Sequence, residues 1–246
     1  SRRDKELVAV ITQIQETEVK GSYGAPRMTA ELKARGYRVG HNRVARLMAE
    51  NDLKAKRPKR YRITTLSDHD HRASPNLLDR DFAPPAKDMV WASDLTYIDT
   101  AEGWLYLCAI LDLYNRKVIG WAMSNRMGTN LMLQALFMAM MRTGYPAGVI
   151  FHSDRGVQYA SKKFRRILGR YGFRQSMSRK GNCWDNAVME SFFATLKREL
   201  IAGKKYPGRH QAIADIFEYI EVFYNRTRIH SYLGYETPQT YGSHAA

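Results

Sequence analysis

The chain has 246 residues, enough to bury a sizeable core, and 44% of them are hydrophobic, which argues against global disorder. Thirty-nine lysines and arginines against 24 aspartates and glutamates give a formal net charge of +15, so we expect a polyanionic partner. Nucleic acid is the first candidate and an anionic membrane surface the second. The longest apolar stretch is too short for a membrane span, and Cys108 and Cys183 lack the neighbours that a zinc site needs.

The N-terminal segment reads as a group of short helices. Apolar residues at helical spacing predict helices over 3–18, about 28–35 and 42–51. Short helices joined by a tight, glycine-containing turn favour a helix-turn-helix-like unit, and an ordinary small helical bundle is the alternative. Arg43 and Arg46 lie off the apolar face of the third helix and are candidate DNA contacts. We assign residues 1–53 to this all-α domain.

A basic and irregular segment follows, over residues 54–86. It begins KAKRPKRYR, with six basic residues in nine, and ends at two prolines. Such a run is usually a solvated linker, and in a basic protein it also suits a tether to the DNA backbone. The candidate DNA contacts in this segment are Lys56, Arg57, Lys59 and Arg60.

From residue 87 onward the pattern changes to alternating strands and helices. Three strands with short connections are predicted over 90–99, 104–113 and 117–124, which is typical of an antiparallel meander. A buried helix over 130–143, a strand over 149–152, a helix over 161–171 and a strand over 173–177 come next. Asp185 is predicted to cap a helix that runs to about 200, and a last helix covers 210–224. This order predicts an α/β, ribonuclease-H-like domain over 87–246, with a mixed five-stranded sheet and flanking helices.

Three acidic residues occupy different settings in this domain. Asp94 lies in the first strand, on the face of Ala92 and Thr96; Asp154 follows the fourth strand; Glu190 lies on a helix. Taken singly, each has a structural alternative: a paired core aspartate, a turn aspartate and a surface glutamate. Taken together, three carboxylates can hold two Mg²⁺ ions that activate an attacking oxygen and stabilise a leaving 3′ oxygen. Asp112, on the second strand, is a reserve metal ligand.

Basic and aromatic residues around these acids suggest a DNA surface. Residues 161–182 hold eight lysines and arginines and no acid, which favours phosphate contacts over a plain solvated face. The candidates are Arg155, Lys162, Lys163, Arg166, Arg179 and Lys180, and Lys197 lies two helical turns after Glu190. Tyr159 and Trp184 are candidates for stacking on an unpaired base, with core packing as the alternative, favoured for Trp184.

Five segments carry a family resemblance. WASDLTYIDT, ILDLYNRKVIGWAMS, FHSDRGVQY, SRKGNCWDNAVMESFFATLKREL and YNRTRIHSYLGYETPQTY are similar, in order and spacing, to the transposases of the bacterial insertion-sequence-3 family. These are relatives of retroviral integrases with an Asp-Asp-35-Glu triad, and 35 residues separate Asp154 from Glu190. The segment GSYGAPRMTAELKARGYRVGHNRVARLMAEN resembles the small helix-turn-helix-like region that precedes the core in this family.

The resemblance implies that Asp94, Asp154 and Glu190 are the catalytic, metal-binding triad and that Lys197 approaches DNA phosphate. It implies cleavage that frees a 3′-hydroxyl at the ends of an insertion sequence, followed by strand transfer, with two Mg²⁺ ions for which Mn²⁺ can substitute. The partners would be double-stranded DNA, as terminal inverted repeats and target, and further copies of the chain, as a dimer or larger assembly on DNA.

A bacterial, cytoplasmic, nucleoid-associated location without a membrane partner follows from the same resemblance. The chain resembles the downstream reading frame of the family, so part of the end recognition is expected to lie elsewhere. Two alternatives remain: a nuclease with the same core that does not join strands, and a DNA-binding regulator without catalysis.

Overall fold

A computed structural model describes residues 2–56, 74–180 and 182–244 of the chain. The predicted DNA contacts Arg57, Lys59 and Arg60 lie outside the described residues. The helices are α1 (Arg2–Gln13), α2 (Ala25–Ala34), α3 (His41–Glu50), α4 (Thr129–Thr143), α5 (Val157–Ala160), α6 (Lys162–Arg170), α7 (Ala187–Leu196), α8 (Arg209–Glu218) and α9 (Pro238–Ser243). The π-helical segments Ile14–Glu18, Lys197–Ile201 and Tyr219–Tyr224 extend α1, α7 and α8, and short 3₁₀ helices cover Cys183–Asn186 and Ser231–Leu233.

Five strands form one mixed sheet. They are β1 (Val90–Ile98), β2 (Leu105–Asp112), β3 (Val118–Ser124), β4 (Ile150–Ser153) and β5 (Arg174–Met177), in the spatial order β3-β2-β1-β4-β5. The first three strands pair antiparallel, as the meander pattern predicts, while β4 lies parallel to β1 and β5 parallel to β4. The parallel pairing requires the crossover helices α4 and α6, since parallel neighbours cannot be joined by a hairpin.

The two faces of the sheet have separate hydrophobic cores because side chains alternate along each strand. Val90 and Ala92 pack with Met189 and Phe193 of α7 and with residues of α8. Trp91, on the opposite face, packs with α4, α5 and α6. Asp94 has the same parity as Ala92, so its carboxyl lies on the α7 side of the sheet.

The N-terminal helices form a third core that is closed by the C-terminal part of the chain. Ile229 is buried in the same cluster as residues of α1, α2 and α3. The Tyr23 hydroxyl donates to the Thr227 carbonyl over 3.2 Å and accepts from the Ile229 backbone N–H over 2.9 Å. The helical region therefore packs against the sheet-containing domain through the segment that follows α8.

Three local features differ from the sequence-based prediction. α2 begins at Ala25, three residues earlier than expected, because Pro26 suits the first turn of a helix. The short helix α5 was not predicted. Asp185 is not a helix cap: α7 begins after Asn186, and the Asp185 carboxylate instead bonds to Arg179, Arg80 and Asn76.

Candidate active site

Asp94 and Asp154 lie side by side on neighbouring parallel strands. The register pairs Ser93 with Ser153, so the residues that follow, Asp94 and Asp154, occupy equivalent positions. Adjacent strands are about 4.8 Å apart, and both side chains lie on the α7 side of the sheet. The structure thus brings two of the three predicted acids close together where β4 ends.

Short local bonds orient the two carboxyl groups. Oδ1 of Asp94 accepts the backbone N–H of Leu95 over 2.7 Å, and Oδ1 of Asp154 accepts the N–H of Gly156 over 2.9 Å. Both residues are half-buried. Each carboxylate therefore keeps oxygen lone pairs beyond those that the local backbone uses.

The electrostatic environment of Asp94 is strongly perturbed. Burial raises the pKa of Asp94 well above its usual range, and the nearby charge of Asp154 raises it further. The charge of Glu190 acts in the same direction more weakly, and Lys197 opposes it. Carboxylates whose charges repel one another favour a bound cation, which would relieve the repulsion.

Glu190 and Lys197 reach this site from α7 and its π-helical extension. Glu190 is exposed, and partial burial raises its pKa. Lys197 is half-buried, with its Nζ 5.2 Å from the centroid of the Tyr97 ring. The sequence analysis did not identify Tyr97 as part of the site. Its position three residues after Asp94 on β1 was the only feature that pointed to it.

The acids fit a hard divalent cation, although they do not form one tight ligand set. In the part of the chain that the structure describes, no three His, Cys, Asp or Glu side chains are close enough to hold a metal ion together. Asp94 and Asp154 form a pair, and Glu190 stands farther away. Mg²⁺ is commonly held through one or two carboxylates and several waters, so the pair suits it.

Asp112 is not a reserve metal ligand, contrary to the expectation. It pairs with Trp91, near the start of β1, and so lies on the face of the sheet opposite Asp94. Its carboxylate accepts the backbone N–H groups of Asp88 and Tyr114 over 3.1 and 2.9 Å, and burial raises its pKa to about 6. Asp112 therefore holds a turn.

The predicted roles of two aromatic residues are reversed in the structure. Tyr159 is 2% exposed, and its hydroxyl lies 2.8 Å from Ser93 Oγ in the core, so its prediction as a base-stacking residue is wrong. Trp184, for which packing was favoured, is 68% exposed in the 3₁₀ turn before α7. Trp184 belongs to the polar segment GNCWDN, which has no periodic pattern from which the exposure of its side chain could be predicted.

Most of the predicted basic contacts of the core are exposed. Lys162, Lys163, Arg166, Arg179 and Lys180 are all exposed, since the buried face of α6 is made by Phe164 and Leu168. Arg155 is half-buried, and its Nε donates to the Ser178 carbonyl over 2.7 Å. Arg179 also bonds to Asp185, so part of its charge serves the fold.

The predicted contacts in the N-terminal region bond to other groups of the protein. Arg43 bonds to Asp4 of α1 over 2.7 Å, and Arg46 forms an ion pair with Glu50 over 2.9 Å. Nζ of Lys56 donates to the Glu199 carbonyl over 2.8 Å. These three residues take part in intramolecular contacts, and their role toward DNA stays a prediction.

Comparisons with known proteins agree with this geometry. Models of the integrase core domain match residues 84–183 and 171–238, and a model of an HTH-like domain matches residues 1–61. The insertion element IS600 uncharacterized 31 kDa protein of Shigella sonnei is 44% identical over 240 residues, which cover 98% of this chain and 88% of that protein. The transposase InsF for insertion sequence IS3A of Escherichia coli (strain K12) is 44% identical over 225 residues, which cover 92% of this chain and 78% of the relative.

A solved structure shares the fold. The simian T-cell lymphotropic virus intasome in complex with PP2A regulatory subunit B56 gamma matches with a TM-score of 0.54 at 14% identity, over 94% of this chain and 73% of that one. The sheet order and these matches confirm the predicted fold class, with an HTH-like region before an integrase-type core. None of the helices in the described part of the chain has the length and apolar content to span a bilayer.

Proposed function

Because the chain belongs to the insertion-sequence-3 family of transposases, which carry an integrase core domain, we propose that it cleaves DNA at the ends of an insertion sequence and joins the freed 3′-hydroxyl to target DNA. The pairing of Asp94 with Asp154 beneath the helix of Glu190 is the observation that carries this proposal. Water attacks one phosphodiester and displaces its 3′ oxygen, which leaves a 5′-phosphate and a free 3′-hydroxyl. That hydroxyl then attacks a target phosphodiester and displaces the 3′ oxygen of the target strand, so one P–O bond forms as another breaks.

We propose that Asp94, Asp154 and Glu190 are the catalytic residues and hold two Mg²⁺ ions, for which Mn²⁺ can substitute. Bound there, the ions would supply activation of the attacking oxygen and charge stabilisation of the leaving oxygen. The raised pKa of Asp94 supports this assignment, since a cation favours the ionised carboxylate. Glu190, exposed on α7, would approach the pair as DNA enters.

We propose that double-stranded DNA lies along the exposed basic surface of α6 and the loop after β5. Lys197 would orient a phosphate above Asp94, and the exposed Trp184 would stack on an unpaired terminal base. Two element ends must be brought together for joining, so we propose a dimer or larger assembly on DNA. We retain 1–53, 54–86 and 87–246 as the proposed helical domain, linker and catalytic core.

Replacing Glu190 with Gln tests the catalytic assignment. The change keeps the size of the side chain and removes one carboxylate, so cleavage and joining in Mg²⁺ should fall by about a thousandfold or more while DNA binding stays within about twofold. Glu16→Gln, an exposed change on the π-helical extension of α1, is the matched control. Mg²⁺-dependent strand transfer retained by Glu190→Gln would refute the assignment.

An assay with a pre-cleaved DNA end distinguishes a transposase from the two alternatives, a nuclease and a DNA-binding regulator. A nuclease with this core would cut and not join, and a regulator would do neither. Joining of the supplied 3′-hydroxyl to a second duplex is the expected result.

Replacing Trp184 with Ala tests the stacking role. Affinity for a DNA end with an unpaired terminal base should fall about tenfold, which corresponds to the loss of one base–aromatic stack, with little change for blunt DNA. Trp184→Phe, which keeps a ring, should retain most of the affinity in a fluorescence binding titration. Equal losses for both DNA ends would contradict the proposal.

A further inference from the structure

A second basic site lies beside α7, away from the paired aspartates. A cleft of about 290 Å³ is lined by Arg27 of α2, Arg116 of the β2–β3 turn, Ser191 and Thr195 of α7, and Arg228 with residues 230–232. It lies between the N-terminal helical region and the core. Neither the predicted triad nor the basic surface of α6 contributes to it.

One of the arginines in this cleft is neutralised by the protein. Nε and Nη2 of Arg228 donate to the two carboxylate oxygens of Glu199, each over 2.8 Å. The Tyr219 hydroxyl donates to the same carboxylate over 2.8 Å. Glu199 and Arg228 are almost fully buried, so this ion pair is complete within the fold.

The other two arginines have no such compensation. None of the acidic residues in the described part of the chain forms an ion pair with Arg27 or Arg116. Arg116 is only 7% exposed; its Nη2 donates to the Phe82 carbonyl over 2.8 Å, and its guanidinium lies 4.0 Å from the centroid of the Tyr232 ring. Nη1 of Arg116 and Nε of Arg27 are buried without a hydrogen-bond acceptor.

The electrostatic potential in the cleft is accordingly positive. Burial lowers the pKa of Arg27 and the charge of Arg228 lowers it further, while the charge of Glu199 partly offsets them. Burial also lowers the pKa of His230, and the three guanidiniums of Arg228, Arg27 and Arg116 act in the same direction. Buried N–H donors without acceptors cost free energy, and an anion bound in the cleft would recover it.

We propose that this cleft binds a phosphate group, and that the phosphate belongs to the DNA backbone. Guanidinium groups match phosphate oxygens in geometry and charge, and the hydroxyls of Ser191 and Thr195 can donate to the same oxygens. A phosphate held by Arg27 and Arg116 would join the N-terminal helices to the core, so DNA binding would fix the position of one region on the other. Only the choice of DNA as the source rests on the proposed function.

Inorganic phosphate tests the site directly. Thermal unfolding of the full chain in phosphate, compared with chloride at equal ionic strength, should show the midpoint rising by about 3 °C at tenfold over the dissociation constant. Arg27→Gln and Ser191→Glu should lose this rise, the second because its carboxylate would occupy the cleft. Ser191 is exposed, so both Ser191→Glu and its matched control Ser191→Gln should fold, and Ser191→Gln should keep the rise. No rise for the unmodified chain, or an equal rise in Ser191→Glu, would overturn the site.

The salt dependence of DNA binding tests the source of the phosphate. In the absence of divalent metal, the slope of log affinity against log salt for a short duplex should become shallower by about 0.9 in Arg27→Gln, as expected for one lost phosphate contact. A lost phosphate response with an unchanged DNA slope would overturn the DNA assignment. Neither measurement requires cleavage or joining, so failure of the proposed chemistry would leave both results interpretable.

Discussion

Two aspartates near α7 show opposite electrostatic arrangements. Asp185, before the helix, accepts hydrogen bonds from Arg179, Arg80 and Asn76, and the guanidinium of Arg179 holds the pKa of that carboxyl well below its usual range. Asp94, on the strand beneath the same helix, has its pKa raised by burial and by the charge of Asp154. The charge of Asp185 is balanced by the fold, whereas Asp94 is held where its charge is costly. That contrast is the one we expect between an acid held in ion pairs and the proposed metal ligand.

The largest expected effect on stability is that of Asp185→Asn. The substitution leaves two arginines facing an uncharged amide in a buried position, so the free energy of unfolding should fall by about 3 kcal/mol. Chemical denaturation of the variant measures it. Asp94→Asn is the matched substitution, and the contrast is lost if it destabilises the metal-free protein as much.

A smaller effect is expected from Mg²⁺ itself. At tenfold over its dissociation constant, the ion should stabilise the unmodified chain by about 1.4 kcal/mol. Asp185→Asn should retain this response and Asp94→Asn should lose it, because Asp94 is one of the proposed ligands and Asp185 is not. Thermal unfolding with and without Mg²⁺ provides the measurement, and equal responses in the two variants would contradict the metal assignment.

The smallest effect concerns pH. Asp94 has a folded-state pKa above its unfolded value, so its contribution to metal-free stability is full below the unfolded pKa and is lost as pH rises through the folded one. Asp185 has the opposite sign: its contribution is present above the unfolded pKa and is lost as pH falls toward the folded one.

Denaturation curves at several pH values distinguish the two aspartates. Asp94→Asn should raise metal-free stability near neutral pH by about 1 kcal/mol, and Asp185→Asn should weaken the loss of stability in acid. A decrease in neutral-pH stability for Asp94→Asn would show that its charge is compensated within the fold.

Much of this architecture could be predicted from the sequence because it rests on periodic patterns. The alternation along β1 placed Asp94 on the face of Ala92, and in the structure this face packs against α7. The roles of Tyr159, Trp184 and Asp185 could not be predicted. Those of Tyr159 and Asp185 depend on residues distant in sequence, and that of Trp184 depends on its exposure. Tyr159 meets Ser93 across 66 positions, and Asp185 meets Arg80 across 105. Spacing along one helix or loop carries no information about such pairs.

The helix that carries Glu190 is held by ion pairs at both ends. Before the helix, Asp185 pairs with Arg179 and Arg80, and at its other end Glu199 pairs with Arg228. Each residue of an α-helix turns the chain by about 100°. A single inserted or deleted residue between Asp185 and Glu190 would rotate the rest of the helix by that angle relative to Asp185. The contacts of Asp185 could then be kept only by moving Glu190 away from Asp94 and Glu199 away from Arg228, so the length of this short stretch is set by the site and by both ion pairs together.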